Sequence, residues 1–363
     1  MSKFNVFNSK TVLITGNSGF KGSWLSAWLV QLGAKVVGFS LEVPSTPSHF
    51  AALGLEDKIV QVWGDIRNPD ACAAVVNQYR PDFVFHLAAQ PLVRRSYVEP
   101  HDTFTTNTGG TLNILEALRV SNHPCAAVFI TSDKCYDNVE QLWGYRENDR
   151  LGGQDPYSGS KGAAELIIRS YAASFFNGDS VVRVAVGRAG NVIGGGDWAE
   201  DRIIPDAVRA WSNDESLQIR NPNATRPWQH VLEPLAGYLA LAADLVADEA
   251  LRGEAFNFGP PADQNYSVSE LLEQMQLHWA DAVWRDVSES GAVYESGLLK
   301  LCCDKALHRI AWKPLLTFAE NVEMTANWYS SYFDGNADIW KLTEFQILQY
   351  EALGADRGAV WVK

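Results

Sequence analysis

Residues 11–22 read TVLITGNSGFKG, and this stretch decides the fold. Its opening run, Thr11–Thr15, is rich in β-branched residues and is typical of a buried strand. Gly16, Gly19 and Gly22 follow at a spacing of three, and an apolar repeat at helical spacing comes next. A strand, a glycine turn and a helix in this order place free backbone N–H groups at a helix N-terminus, where they bind a pyrophosphate. The stretch therefore predicts a dinucleotide-binding site.

The alternation of strand and helix continues through the first half of the chain. Further short apolar runs, typical of buried strands, lie at 35–39, 59–62, 82–87, 126–131 and 180–186. Helical patterns separate them at 24–32, at 70–79, within 110–120 and at 163–176. Such an alternation predicts a parallel sheet made of βαβ units. The predicted fold class is α/β, a Rossmann-type doubly wound parallel sheet with a smaller C-terminal α/β substrate lobe.

Charged residues near the second strand indicate which nicotinamide cofactor binds. Glu42 is the first acidic residue after that strand, and a carboxylate there bonds a ribose hydroxyl but repels a 2′-phosphate. No Lys or Arg lies within 36–57, which leaves Lys21 in the glycine loop as the one exception nearby. We therefore predict NAD rather than NADP. Asp65, in GDIRN after the third strand, is predicted to contact the adenine, with an ordinary turn aspartate as the alternative.

The texture of the chain changes after Gly187, where Gly, Pro and Trp become frequent. Ligands of open α/β sheets bind outside the carboxyl ends of the strands, so a cleft is expected between the sheet and the segments that follow it. We predict an NAD-binding Rossmann domain over 1–187 with a return segment near 228–258, a substrate-binding lobe over 188–227 and 259–335, and a C-terminal tail over 336–363.

Composition argues against several classes of protein. The chain carries 43 acidic and 30 basic residues, a net charge of −13, which disfavours a general nucleic-acid binder. Its longest uncharged apolar stretch, 234–243, is too short to span a membrane, and the first residues do not resemble a secretory signal. The five cysteines include no C-x-x-C pair, which disfavours a disulfide framework or a metal site. We expect a cytoplasmic protein that binds neither nucleic acid nor membrane.

Tyr157 and Lys161, in DPYSGSKGAAE, stand four residues apart at the head of a predicted helix. That spacing places both side chains on one helical face. A free tyrosine has a pKa of about 10 and is a poor base at neutral pH, but a nearby ammonium favours the phenolate. Tyr157 could then accept the proton of an alcohol while a hydride leaves for the cofactor. An ordinary exposed pair of side chains is the alternative.

A second polar cluster lies just beyond the fifth strand, in ITSDKCYDN, and consists of Thr131, Ser132, Asp133 and Lys134. It is expected at the sheet edge where ligand chemistry takes place. The serine could hydrogen-bond a reacting oxygen, and the neighbouring acid and amine offer a proton donor and a proton acceptor. Simple alcohol oxidation needs neither of the two. A solvated turn is the alternative.

These motifs together resemble the extended short-chain dehydrogenase/reductases, the NAD-dependent epimerase/dehydratase family, over nearly the whole chain. The motifs that fall in the family's order are TGNSGFKG, GDIRN, FHLAAQPLV, TTNTGGT and YSGSK. Longer stretches are similar to the members that dehydrate CDP-glucose, among them GFKGSWLSAWL, AAQPLVRRSY, TSDKCYDN and RAGNVIGGGDWAEDRIIPD. Related dehydratases of other sugar nucleotides carry Glu where Lys134 stands. Asn17 departs from the histidine that relatives often carry in the glycine loop.

The resemblance implies an enzyme, a lyase that converts CDP-D-glucose to CDP-4-dehydro-6-deoxy-D-glucose and water with the help of bound NAD. It implies that Tyr157, supported by Lys161, takes the proton of the 4-hydroxyl, whose oxygen Ser132 holds. Lys134 would remove the proton at carbon 5, for which it must be neutral when it acts. Asp133, protonated, would act as the acid for the leaving 6-hydroxyl.

The resemblance also implies the binding residues. Those for the cofactor are Gly16, Ser18, Gly19, Phe20, Lys21, Gly22, Asp65, Ile66, Leu87, Ala88, Ala89, Asn107, Tyr157 and Lys161. Those for the sugar nucleotide are Gln90, Asn191, Arg202 and Arg226. Because an arginine fork suits paired phosphate oxygens, a locally basic cleft is expected inside this acidic protein.

A homodimer or homotetramer and a role in deoxysugar supply for the lipopolysaccharide O-antigen are further implications of the resemblance. Two alternatives stay open. A sugar-nucleotide 4-epimerase, or a dehydratase of another nucleotide sugar, would use the same frame, and an epimerase would not need the acid and the amine at 133 and 134. A non-catalytic NAD-binding sensor would not need Tyr157 with Lys161.

Overall fold

The computed structural model describes residues 2–279, 281–288 and 298–362. Its strands, in chain order, are β1 (Thr11–Thr15), β2 (Lys35–Ser40), β3 (Val60–Trp63), β4 (Phe83–His86), β5 (Cys125–Ile130), β6 (Val182–Ala189), β7 (Val192–Ile193), β8 (Leu217–Ile219), β9 (Thr225–Arg226), β10 (Gln229–His230), β11 (Ala255–Phe258), β12 (Tyr266–Ser267) and β13 (Trp284–Asp286).

The α-helices are α1 (Phe20–Gln31), α2 (His49–Ala52), α3 (Pro69–Tyr79), α4 (Val93–Val98), α5 (Pro100–Phe104), α6 (Gly110–Ser121), α7 (Pro156–Phe175), α8 (Ile203–Trp211), α9 (Leu232–Ala247), α10 (Val268–Gln276), α11 (Asp304–Ile310), α12 (Phe318–Phe333) and α13 (Ile339–Asp356). A π-helical turn at Thr105–Gly109 joins α5 to α6, and a short 3₁₀ helix, Asp133–Cys135, follows β5.

Seven parallel strands form the main sheet, in the order β3, β2, β1, β4, β5, β6, β11. The strand order reverses between β1 and β4, which creates the crevice where doubly wound sheets bind ligands. Successive residues of β1 face opposite cores: Val12 and Ile14 pack on the side of α1 and α9, and Leu13 packs on the side of α3 and α6. Burial on both faces explains the continuous apolar runs, and the predicted fold class is confirmed.

Three two-stranded sheets lie outside the main sheet. They pair β7 with β10, β8 with β13, and β9 with β12, and only the last pair is antiparallel. The strand β11 returns from this part of the chain to the edge of the main sheet, beside β6. The domain boundaries given above stay a prediction.

The helix that carries the predicted reactive tyrosine begins earlier than the apolar pattern indicated, at Pro156 rather than 163. Asp155 caps it by accepting a hydrogen bond from the Ser158 N–H at 2.9 Å, and proline occupies the first helical position. These polar and small residues carry no apolar repeat, so the first two turns escaped the pattern. Tyr157 consequently lies in the first turn of α7, at the sheet edge.

The C-terminal tail, about which the sequence says little, forms the 18-residue helix α13. This helix packs on α1, where the Trp28 indole donates a 2.8 Å hydrogen bond to Glu351 and contacts the rings of Tyr350 and Trp361. Among the residues that the structure describes, no helix is both long and apolar enough to cross a bilayer.

Candidate active site

The glycine loop after β1 is packed so tightly that two of its positions exclude a side chain. A Cβ on Gly16 would lie 2.7 Å from the backbone of Ala88, and Gly16 has a φ of +73°. A Cβ on Gly22 would lie 2.2 Å from the Gly16 carbonyl oxygen. The loop therefore runs directly against the end of β4, at the reversal point of the sheet.

The N-terminus of α1 is open toward this crevice. Gly19 is its N-cap, and no side chain caps the first turn. The first N–H groups of a helix have no partner inside the helix, so the loop leaves backbone donors and the positive end of the helix dipole for an anion. Together with the two obligatory glycines, this arrangement fits the pyrophosphate of a dinucleotide.

The residues between β1 and β2 are held by their own hydrogen bonds. Ser18 donates its hydroxyl to the Glu42 carbonyl oxygen at 2.6 Å, and its N–H donates to the Ser40 hydroxyl. Asn17 is fully buried: its carbonyl accepts from Ser40 at 2.7 Å and its amide donates to Gln61 at 2.7 Å. The Asn17 side chain thus ties the glycine loop to β2 and β3.

Asp65 and Ile66 follow β3 on the cofactor side of the sheet. Arg67 binds the Asp65 carboxylate with its side chain and its backbone N–H, and these hydrogen bonds lower the pKa of Asp65. Ile66 is buried and packs against Gly110 at the start of α6. The contact of Asp65 with the adenine stays a prediction. In this structure the Asp65 carboxylate is already paired with Arg67.

Leu87, Ala88 and Ala89 continue from β4 along the floor of the crevice, where the Leu87 N–H donates to the Thr15 carbonyl. Asn107 joins this floor to α7: its amide donates to the Gln90 carbonyl at 3.1 Å and to Ser160 at 2.9 Å.

Gln90 itself points inward. Its side chain donates to Thr103 at 2.8 Å and exchanges two hydrogen bonds with the backbone of Leu92. Its predicted contact with a sugar nucleotide remains untested, and it would require this amide to leave its partners.

The reactive residues predicted after β5 and in α7 come together at the sheet edge. Ser132, Asp133 and Tyr157 are all buried. The Ser132 hydroxyl donates to the Asp133 carboxylate at 2.9 Å and lies close enough to the Tyr157 phenol to act on its pKa. Burial raises the pKa of Tyr157 to about 12, although the Ser132 hydroxyl and the charge of Arg202 act to lower it. A serine, a carboxyl group and a phenol therefore share one small volume.

Lys161 lies one turn beyond Tyr157, on the same face of α7, as its spacing predicts. It is buried, and burial lowers its pKa to about 8. Lys134 is only partly buried, on the short 3₁₀ helix that Ser132 caps. Within the described ranges, its ammonium makes no hydrogen bond or ion pair, so it is available to a ligand.

Arg202, predicted to bind the nucleotide, lies near Tyr157 and acts on its pKa. Asp197, which is buried, binds Arg202 at 2.8 Å, and its charge raises the pKa of Arg202. Lys21 reaches the same region: burial and the charge of Arg202 lower its pKa to about 8. Lys21 therefore lies within electrostatic reach of Asp133 and Lys161.

Asn191 and Arg226 occupy the small sheets that flank the cleft. Asn191 precedes β7, and its carbonyl accepts from the N–H of Gln229 on β10. Arg226 lies on β9, opposite Tyr266 of β12. Lys21, Lys161 and Arg202 lie within electrostatic reach of one another. That Lys134 and Arg226 join them in a basic cleft stays a prediction.

Four residues near the site were not found by sequence reasoning: Gly190, Asp197, Glu165 and Arg188. A Cβ on Gly190 would lie 2.9 Å from the Asp133 carboxylate. Asp197 pairs with Arg202, and Glu165 pairs with Arg188 in the interior. Only Glu165 left a signal, since it stands four residues after Lys161 on the same helical face.

The cysteines contribute no reactive centre in the described part of the chain. All five thiols are free, and burial raises the pKa of Cys135 and Cys303. The described residues also hold no group of three His, Cys, Asp or Glu side chains arranged to bind a metal ion.

Comparison with known proteins places this geometry in a family. The model of the NAD dependent epimerase/dehydratase family matches residues 12–259. The chain is 44% identical over 336 residues to CDP-glucose 4,6-dehydratase of Salmonella typhimurium, covering 91% of this chain and 93% of the relative.

Two solved structures share the fold. The epimerase Mth375 of Methanothermobacter thermautotrophicus has a TM-score of 0.78 at 23% identity, over 92% of this chain and 95% of the other. The dTDP-glucose 4,6-dehydratase of Bacillus anthracis, in complex with NAD, has a TM-score of 0.72 at 21% identity, over 92% of this chain and 99% of the other. With the family model and the Salmonella relative, the open glycine loop and the tyrosine–lysine pair lead to one conclusion: the chain belongs to the NAD dependent epimerase/dehydratase family, an enzyme family that uses NAD.

Proposed function

We propose that the protein converts CDP-D-glucose to CDP-4-dehydro-6-deoxy-D-glucose and water. The observation that carries this proposal is the acid–amine pair Asp133–Lys134, which directly follows Ser132 and lies at the same sheet edge as Tyr157. An epimerase has no use for a proton donor and a proton acceptor beside the serine. The 44% identity to a CDP-glucose 4,6-dehydratase supports the same reaction and the cytidine nucleotide.

The glycine loop, the α1 N-terminus and the residues Leu87–Ala89 would hold the cofactor. When NAD is bound there, it would supply the hydride acceptor for carbon 4 of the sugar and the hydride donor for carbon 6. The cofactor ends each turnover in its starting state, so the chain has no need to release it.

Tyr157 accepts the proton of the 4-hydroxyl in the first step. Raising the pKa from 10 to about 12 disfavours the phenolate by about 3 kcal/mol, so positive charge must offset this cost. The value of about 12 already includes the lowering by Arg202, so the remaining positive charge would come from Lys161, the next cation along the helix. Ser132 donates its hydrogen bond to the 4-oxygen and keeps the sugar oriented toward the phenol.

The elimination requires one proton to leave carbon 5 and one to arrive on the 6-hydroxyl. Once carbon 4 is a ketone, the proton at carbon 5 is acidic, and Lys134 in its neutral form removes it. Asp133, protonated, donates to the 6-oxygen, and the carbon–oxygen bond breaks to release water. The Asp133 carboxylate is buried beside Ser132 and Gly190, at the sheet edge that carries Tyr157.

The diphosphate of the sugar nucleotide would be bound by Asn191, Arg202 and Arg226, with Lys21 nearby. These groups give the cleft its positive charge, and arginine forks bind paired phosphate oxygens. We further propose that the enzyme works in the cytoplasm as a homodimer or homotetramer. Its product would feed deoxysugar synthesis for the O-antigen of lipopolysaccharide.

The proposal is tested by incubating the purified protein separately with CDP-, dTDP- and UDP-glucose. We expect a 4-keto-6-deoxy sugar, detected by its alkaline chromophore and by mass spectrometry, from CDP-glucose alone. A 4-epimer without loss of water would contradict the proposal, as would a preference for another nucleotide. Tyr157→Phe should abolish turnover and leave binding of CDP-glucose intact. Asp133→Asn should slow loss of water more than the first hydride transfer.

A further inference from the structure

The segment that carries the predicted reacting groups is fastened at both of its ends. At one end, the Thr131 hydroxyl donates to the carboxylate of Glu165 on α7. At the other end, the Tyr136 hydroxyl accepts a 2.7 Å hydrogen bond from Arg188 on β6. All four side chains are buried. Ser132, Asp133 and Lys134 lie between these two fastened residues.

The two anchors are themselves one unit. Arg188 binds the Glu165 carboxylate through two bonds, Nε to Oε1 at 2.8 Å and Nη2 to Oε2 at 2.9 Å. The side chains are 3% and 4% exposed for Glu165 and Arg188, respectively. A two-bond pair of this kind fixes distance and orientation together. The positions of Thr131 and Tyr136 are therefore set by the same rigid group.

The Tyr136 end has a further support. Its hydroxyl donates at 2.8 Å to Asn257 on β11, and the Asn257 amide donates to the carbonyls of Tyr145 and Cys302. Arg188 also donates at 3.0 Å to the Glu147 carbonyl. The polar groups of this interior network are thus satisfied by one another, which makes the network stiff.

Burying the Glu165–Arg188 pair has a desolvation cost, so its presence needs an explanation. A buried ion pair adds little net stability in comparison with apolar residues of the same volume, because both charges lose their hydration. A pair of this kind can instead serve to fix geometry. Reactions that need two positioned groups are sensitive to displacements of about 1 Å, which cost on the order of 10²-fold in rate.

We propose that Thr131, Tyr136 and the Glu165–Arg188 pair form a clamp that positions Asp133 and Lys134 for the elimination step. The inference rests on the function proposed above. None of the four residues touches the substrate; they are positioning residues that act through the short 3₁₀ helix between them. The hydride-transfer step depends on Tyr157 and Lys161, which α7 itself holds, and on only one residue of the clamped segment, Ser132. It is therefore expected to be less sensitive to the clamp than the elimination, which depends on both Asp133 and Lys134.

The test removes one clamp hydroxyl at a time. Tyr136→Phe keeps the ring but loses the bonds to Arg188 and Asn257, and Thr131→Val loses the bond to Glu165. For both variants we expect exchange of the carbon 5 hydrogen with D₂O and release of water to slow on the order of 10–10²-fold. The first hydride transfer, followed by reduced-cofactor absorbance in a single turnover, should change less than threefold, as should the dissociation constant of CDP-glucose.

Matched variants separate positioning from loss of structure. Tyr350→Phe removes a buried hydroxyl that binds a carboxylate far from the site, and it should leave all of these rates unchanged. Thr131→Ser keeps the donor and should restore the elimination rate lost in Thr131→Val, a comparison that stands even if Tyr136→Phe does not fold. Equal slowing of hydride transfer and elimination, or no slowing of either, would overturn the clamp. Absence of a dehydrated product from the wild-type protein would instead overturn the proposed function.

Discussion

Two buried carboxylates, Glu165 beneath the reactive segment and Glu233 in the C-terminal part, are held in opposite ways. Glu165 is paired with Arg188 through two bonds. Glu233 is 1% exposed and accepts only neutral donors: the N–H groups of Leu315 and Leu316 at 2.7 and 2.6 Å, and the Tyr350 hydroxyl at 2.8 Å. Among the residues described by the structure, no ion pair of Glu233 is found.

The environment of each carboxylate fits the part of the structure that the carboxylate holds in place. Burial without a paired cation raises the pKa of Glu233 to about 7, so in the folded protein this group is neutral below that pH and ionises only above it. The Glu233 side chain joins α9 to residues 315–316 and to α13, which is a structural role. Glu165 lies one turn from Lys161 on α7. Its two bonds to Arg188 hold the Glu165 side chain in one position beside the predicted site. The carboxylate beside the predicted site is thus held by a charged partner, and the one away from it is held by neutral hydrogen bonds.

The largest loss of stability is expected for Arg188→Met. This change leaves the Glu165 carboxylate buried without its cation, and the free energy of unfolding should fall by about 3–5 kcal/mol. Urea denaturation would measure the loss. Arg183→Met on the same strand is the matched control, because Arg183 pairs with a largely exposed glutamate and should cost about 1 kcal/mol or less. Equal losses in the two variants would contradict the assigned role of the buried pair.

Glu233→Gln should make the protein more stable, and the gain should depend on pH. The pKa of Glu233 rises from an ordinary value of 4.5 to about 7 on folding, so the folded state binds more protons between these two values. Wild-type stability contributed by this group is therefore present below pH 4.5 and is lost as the pH rises to about 7.

The glutamine variant does not titrate, so its advantage over wild type should grow across that range to at most about 3 kcal/mol and stay constant above it. Thermal unfolding of both proteins at several pH values would measure this. A difference that does not change with pH would show that Glu233 is held as a charged group.

Tyr350→Phe tests the neutral hydrogen bonds of Glu233 one at a time. The hydroxyl at 2.8 Å is one of three donors, and its loss should lower the free energy of unfolding by about 1–2 kcal/mol. The loss should be similar in size at pH values on either side of 7 if the two backbone N–H groups hold the carboxyl in place. Unfolding at two pH values is sufficient, and a stability equal to wild type would contradict the contact.

Glu320 gives the smallest expected effect and extends the comparison to a partly exposed carboxylate. Hydrogen bonds from Arg357 and from the Thr317 cap lower its pKa to about 2. The lowered pKa means that its stabilising contribution is present above an ordinary value of 4.5 and is lost as the pH falls toward 2. Glu320→Gln should cost less than about 1 kcal/mol at neutral pH, since solvent screens the pair, and nothing at pH 2.

The sequence could predict the features that depend on neighbours in the chain. Short apolar runs predicted six of the seven strands of the main sheet, all except β11, and the glycine spacing predicted the cofactor loop. The spacing of four gave the shared face of Tyr157 and Lys161. Each of these depends on local backbone geometry, which is visible in a short window.

Contacts set by tertiary packing could not be read in this way. Glu165 and Arg188 are 23 positions apart, and Glu233 is 82 positions from Leu315, so no local pattern joins them. Arg202, predicted for the nucleotide, also lies near Tyr157 and acts on its pKa. The helix α13 packs on α1 and α12 but also exposes Phe345 and Leu348, and apolar residues on both faces weaken its amphipathic signal.

The most direct test of the proposed reaction follows one atom through a turnover. CDP-glucose deuterated at carbon 4 is mixed with unlabelled CDP-glucose and incubated with the enzyme, and the products are analysed by mass spectrometry and NMR. We predict that deuterium appears at carbon 6 of the same molecules that lost it from carbon 4. The hydrogen at carbon 5 should come from the solvent. Deuterium retained at carbon 4, or found in an epimer that has kept its 6-hydroxyl, would contradict it.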